Sequence, residues 1–203
     1  MSDAAVEGYS TTLRSCRLGL RPLLRADLDA MAAWPPFTAP LDQEWNWPRR
    51  MQERGLLDLF FASHAGDASR RAWTIREGSE VVGLVQLSQI RRPEADARLG
   101  IALGAPWIGR GYGQEALGVF LDACFGPIQL RTLRLEVALA NVRAVKLYRR
   151  LGFEETKRFW RDAGGADDYG FLDEQEYAGV RQYFRRANGG VYQMYAEMML
   201  SSG

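Results

Sequence analysis

Apolar positions along the chain switch repeatedly between alternating and helical spacing, and the switches mark out its elements. RLGLRPL alternates as a strand from Arg17 to Pro22, after which Asp27 stands as the N-cap of a helix through LDAMAAW that Pro35 and Pro36 end. Pro48 is placed to open a second helix, over about 49 to 63, at its first turn. RRAWTIREGSEVVGLVQLSQI predicts two strands joined by a turn at Glu77–Ser79. ARLGIAL predicts a third, with Leu99, Ile101 and Leu103 on one face and Arg98, Gly100 and Ala102 on the other.

That strand leads into WIGRGYGQEALGVF, where Gly109, Gly111 and Gly113 fall at every second position before a helical stripe of Leu117, Phe120, Leu121 and Cys124. Gly126 and Pro127 end the helix. RTLRLEVAL alternates again, with Leu133, Leu135, Val137 and Leu139 on the core side and Glu136 on the other. Asn141 is a good N-cap for VRAVKLYRRL and Gly152 a good left-handed stop after it, with Ala144, Leu147, Tyr148 and Leu151 as the buried stripe. Asp173 and Glu176 read as a capping box for a helix at about 173–186, arginine-rich at its end, with Tyr177, Val180 and Phe184 on its apolar side. VYQMYAEMML alternates as a last strand. The element order predicts one α/β (α+β) domain with a mixed sheet over 17–203, preceded by a flexible tail over 1–16.

Composition narrows the function classes. The chain has 203 residues, enough for a sizeable core, and a formal net charge of +1, which gives no electrostatic footprint for nucleic acid or an anionic membrane. Cys16 and Cys124 are too few for a disulfide framework or a zinc site, so reduced thiols and no metal are expected. No signal-peptide layout or bilayer-length apolar run stands in the sequence, which predicts a cytoplasmic protein. His64, the lone histidine, reads as a surface loop residue rather than a general base.

Glycines before a helix suit a phosphate, because the helix start presents unpaired N–H groups and the positive end of the dipole. A tight strand-to-helix turn without a ligand accounts for the same residues equally well. Two other phosphate loops do not fit. A P-loop needs Gly-Lys-Ser/Thr where Gly113-Gln114-Glu115 stands, and a dinucleotide fingerprint needs glycine at Gln114.

Two motifs together resemble the GNAT superfamily of acyl-CoA-dependent N-acyltransferases. Gly109-Arg110-Gly111-Tyr112-Gly113-Gln114 is similar to that family's pyrophosphate turn. Asn141, Ala144, Leu147, Tyr148, Gly152 and Phe153 match its second signature, Asn-x-x-Ala-x-x-Leu-Tyr-x-x-x-Gly-Phe. LGLRPLLRADLDAM and the Leu135-Glu136-Val137 strand resemble the bacterial Rim-type ribosomal-protein N-terminal acetyltransferases in particular. One departure is Ile108, where the glycine motif usually opens with Gln or Arg; backbone amides dominate such a turn, and Arg110 is at hand to supply charge.

The resemblance implies a mixed central sheet with helices on both faces, whose parallel strands, here 97–103 and 132–139, splay to admit acetyl-CoA as cosubstrate. Ile101, Leu103, Ile108, Gly109, Arg110, Gly111, Tyr112, Gly113, Gln114, Asn141 and Tyr148 are the implied CoA-binding residues. Tyr148 is also the implied acid for the departing thiolate, against the plain reading of a packed core tyrosine. Glu136 is the implied base for the amine, with a structural ion pair to Arg134, Arg98 or a loop arginine as the equal alternative. Arg98 stands where many members have a glutamate, which leaves it as an acceptor or oxyanion contact. Trp34, Phe37, Trp45 and Trp47 read as a satellite core that borders the acceptor in this family, and the acids Asp167, Asp168, Asp173, Glu174 and Glu176 as a solvated face or a lure for a cation. The expected activity is N-acetylation of a primary amine, a peptide or protein N-terminus first and a small amine second, by a monomer or homodimer. A non-catalytic acyl-CoA sensor is the alternative of another class.

Overall fold

The computed structural model describes residue 9 and residues 11–202, apart from the side chains of residues 166–168. Of the expected tail, residues 1–8 and 10 lie outside the described residues, as do the side chains of Asp167 and Asp168. The chain forms two compact units, one running to Leu133 and taking in the residues from Ser201 onward, the other Arg134–Leu200.

In the first unit five strands, β1 (Leu13–Arg14), β2 (Gly19–Pro22), β3 (Arg71–Glu77), β4 (Glu80–Arg91) and β5 (Asp96–Leu103), pair in chain order, each antiparallel to the next. Alternation sends Leu20, Ile75, Val85, Leu87 and Leu99 into the core, and Trp73 is buried with them. Helices α1 (Arg25–Ala32), α2 (Trp47–Glu53), α3 (Leu57–Ala65) and α4 (Tyr112–Phe125) complete the unit. Leu28, Met31 and Trp34 form a second apolar cluster with Leu57 and Leu84, against which Trp47, Phe60 and Trp107 pack. The Trp34 indole N–H donates to the Val81 carbonyl at 2.8 Å, so its polar end is satisfied inside the cluster.

Four expectations change in this unit. Order begins before Arg17, because Leu13 and Arg14 pair with Leu20 and Gly19. Asp27 is not the N-cap of α1. It lies in the first turn and accepts the Leu24 N–H at 2.9 Å, while Arg21 forks onto both its oxygens at 2.8 and 2.7 Å and Thr74 donates at 2.6 Å. The long second helix is broken in two at Gly55, whose φ of +66° no helix can continue through. His64 is buried near the end of α3, with Nδ1 at 2.9 Å from the Phe60 carbonyl and Nε2 at 3.0 Å from Gln86 Oε1, so two local partners absorb it into the core.

The second unit is built on β6 (Thr132–Ala138, which spans the division), α5 (Val142–Arg150), β7 (Glu154–Gly165), β8 (Phe184–Ala187) and β9 (Gly190–Ser201). Strand order is β6, β9, β7, with β8 also on β9. The helix expected at 173–186 is absent: short 3₁₀ turns at Gln175–Tyr177 and Arg181–Tyr183 lead instead into β8, paired from Phe184↔Gln193 to Ala187↔Gly190. Its charges close a loop rather than line a helix. Arg186 forks onto Asp173 at 3.0 Å and Arg181 donates to the Leu172 carbonyl at 2.7 Å. Past β9, the Ser202 N–H donates to the Arg131 carbonyl at 2.9 Å, within the first unit.

Candidate active site

The glycine turn forms as the spacing predicts. Gly109 and Gly111 have φ of +75° and +82°, and Gly111 is the left-handed N-cap of α4. The first bond into the helix runs from the Glu115 N–H to the Gly111 carbonyl at 3.1 Å, so the N–H groups of Tyr112, Gly113 and Gln114 have no carbonyl behind them in the helix. A Cβ on Gly109 would meet nothing within 4 Å, and one on Gly111 only the Arg17 guanidinium at 3.6 Å. Gly109, Arg110, Gly111 and Gln114 are exposed and Ile108 is half-buried. This bare backbone over a helix start fits an anionic phosphate.

Behind the turn lies a set of contacts that local sequence did not announce. The Glu115 carboxylate accepts from Ser15 Oγ at 2.7 Å, from the Arg17 N–H at 2.8 Å and from Arg17 Nε at 2.7 Å. Those donors, the serine hydroxyl foremost, hold its carboxyl below the ordinary glutamate range. The Arg17 guanidinium lies 4.5 Å from the Tyr112 ring centroid and its Nη2 3.5 Å from the Arg110 carbonyl; Arg110 lies 5.3 Å from the same ring. Tyr112 is 1% exposed and donates to Glu77 at 2.8 Å. Its side chain therefore supports the turn from behind, while its backbone N–H is one of those at the start of α4 with no carbonyl behind it in the helix.

In the second unit Asn141 caps α5 by accepting the Ala144 N–H at 3.1 Å. Gly152, at φ +89°, lets the Phe153 N–H return to the Tyr148 carbonyl at 3.0 Å and stop the helix. The buried stripe is centred on Val145 and Tyr148, with Ala144, Leu147 and Leu151 only partly covered. Tyr148 is 8% exposed, edge-on to Phe153 at 5.8 Å, and burial pushes its phenol up to about 12. Among the described residues none hydrogen-bonds its hydroxyl, which leaves that group for a ligand or water. Glu136 is ion-paired with Arg161, an arginine that sequence reasoning had not named; Arg161 in turn lies 4.3 Å from the Tyr195 ring centroid and 5.4 Å from that of Phe159.

Ile101 and Leu103 are half-buried on β5, where Leu103 covers Gly83 of β4. No helix among the described residues is long and apolar enough to cross a membrane, and these residues contain no cluster of three or more metal-ligating side chains.

Comparison with known protein families shows the chain to be an acyltransferase. Residues 17–154 match the family model described as Acetyltransferase (GNAT) domain, and the chain belongs to that family, whose enzymes use acetyl-CoA. The uncharacterized N-acetyltransferase p20 of Bacillus licheniformis is 30% identical over 176 residues, which cover 83% of this chain and 99% of that one. The spermidine N(1)-acetyltransferase of Vibrio cholerae is 28% identical over 100 residues, 49% of this chain and 58% of the relative. Mycobacterium smegmatis RimJ, solved in complex with CoA-disulfide, shares the fold with a TM-score of 0.63 at 17% identity, over 96% of this chain and 89% of that one.

Proposed function

We propose that the chain transfers acetyl from acetyl-CoA to the N-terminal amine of a protein or peptide. The backbone of Gly109–Gly113 holds the CoA pyrophosphate, Arg110 and Gln114 border it, and Ile101, Leu103 and Asn141 flank the rest of the cosubstrate. Glu136 takes the amine's proton, directly or through water, as nitrogen attacks the thioester carbonyl. When the C–S bond breaks, Tyr148 donates to the thiolate. The observation that carries the reading is the Tyr148 hydroxyl, which no other described residue occupies and whose pKa burial raises above its reference of 10.0.

A polyamine acceptor is the second reading, favoured by the spermidine-acetylating relative. A polycation needs uncompensated carboxylates, and among the acids read as its lure Asp173 is already matched by Arg186. A terminal amine, with one charge, makes the smaller demand. Thiol release from acetyl-CoA, followed against N-terminal peptides and against small amines, tests the two. Turnover with peptides supports the first reading and turnover with polyamines alone supports the second. Tight CoA binding with no acceptor in either panel would make the chain a sensor.

A further inference from the structure

The proposed phosphate turn carries an acid in the wrong place for its ligand. Glu115 stands in the first turn of α4, where a carboxylate suits the helix dipole but repels a pyrophosphate bound at the same end. Nor does the turn have the Gln or Arg that opens the related motif, since Ile108 occupies that position. Arg17, distant in sequence, answers both features. Its Nη2 is 2.7 Å from Glu115 Oε2, and the side chain remains 42% exposed, with its guanidinium beside the Gly111 backbone and against the Tyr112 ring.

We infer that Arg17 is an electrostatic positioning residue of the CoA site: it cancels the charge of Glu115 at the phosphate turn, while Ser15 and the Arg17 N–H fix the carboxylate away from the ligand. This rests on the reading of Gly109–Gly113 as the phosphate site. It assigns opposite signs to the two ends of one ion pair. Removing Arg17 leaves a bare carboxylate near the phosphates and weakens CoA; removing Glu115 leaves a bare guanidinium and strengthens it. A pair that served only to tie the N-terminal segment to α4 would weaken CoA from either end.

Calorimetric titration of the full chain with CoA at low salt separates these. Arg17→Gln is expected to weaken binding on the order of tenfold, Arg17→Lys to restore most of the loss, and Glu115→Gln to tighten binding. The double variant Arg17→Gln/Glu115→Gln should return near the parent, and all differences should shrink towards unity at about 1 M salt, where screening acts within ~3 Å. Weakening from both single variants with no recovery in the double, or parental affinity in Arg17→Gln, would overturn the inference. Gly111→Val is the control for the underlying reading. If it also leaves CoA affinity unchanged, or if the parent chain binds no CoA, the phosphate turn is wrong and the inference falls with it. If Gly111→Val weakens CoA while Arg17→Gln does not, the inference alone is wrong.

Discussion

The Glu136 carboxylate is ion-paired with Arg161, so the residue proposed to take the amine's proton is held by a cation that is itself stacked on Tyr195 and Phe159. Such a partner fixes the carboxylate's direction. Glu136→Gln is expected to lower kcat most at and below neutral pH, with activity recovering as pH rises and the acceptor amine becomes neutral on its own. A pH–rate profile parallel to the parent's would make Glu136 a purely structural partner of Arg161.

Tyr148→Phe keeps the buried ring and removes only the donor. A fall in kcat of roughly 10²-fold is expected, with CoA affinity and thermal midpoint little changed. Thiol release at the parental rate with a good acceptor would remove the acid role.

Gly111→Val forces a β-branched residue to φ +82° and covers the N–H groups at the start of α4. A loss of about 1–2 kcal/mol in stability should accompany a drop of tenfold or more in CoA affinity, the first read by denaturant titration and the second by calorimetry.

Asp27 is nearly buried, which alone would raise its pKa, but Arg21, Thr74 and the Leu24 N–H overcome that and lower it below the reference of 3.8. Its contribution to stability is therefore present above that reference and lost as pH falls through the lower folded value. Asp27→Ala should cost about 3–5 kcal/mol near neutral pH, because it strands Arg21 and Arg76 without their carboxylate. The same variant should lose less than the parent on acidification, measured by urea unfolding across acid pH.

Burial raises Tyr148 from 10.0 to about 12, and also raises the Cys124 thiol. Both groups stay protonated in the fold after they would ionise in the unfolded chain, so the stability tied to Tyr148, full below pH 10, should drain away between about 10 and 12, and that tied to Cys124 from its reference of 9.0 upward. For Tyr148 the loss is about 3 kcal/mol. Unfolding curves of Tyr148→Phe should show a correspondingly shallower alkaline decline.

What the sequence disclosed was what neighbouring residues decide among themselves. Asn141 finds its acceptor role three residues on, Gly152 supplies its own positive φ, and the glycines around Arg110 bend as their spacing requires. Arg17 and Glu115 lie in different elements, and nothing in the alternation of either stretch names the other. The segment from Asp173 to Arg186 shows the converse. Its acids and arginines have helix-like order, yet Gly179 weakens that option, while Tyr169, Phe171, Tyr177 and Phe184 pack on one another at 4.9–5.8 Å and the arginines fold back on Asp173 and the Leu172 carbonyl. Tertiary contacts outbid a local pattern there. Glu136 was legible as a candidate, but its counter-ion, on β7, was not.

The bond from the Ser202 N–H to the Arg131 carbonyl bears on the order in which the molecule is made. The first unit closes around residues translated early and residues translated after the whole of the second, so during synthesis Arg131 must wait for Ser202 while Arg134–Leu200 emerges. A nascent chain halted before residue 201 would hold every residue of the second unit and still lack a piece of the first. Premature termination near the end of β9 therefore removes a hydrogen bond of the unit that was synthesised first.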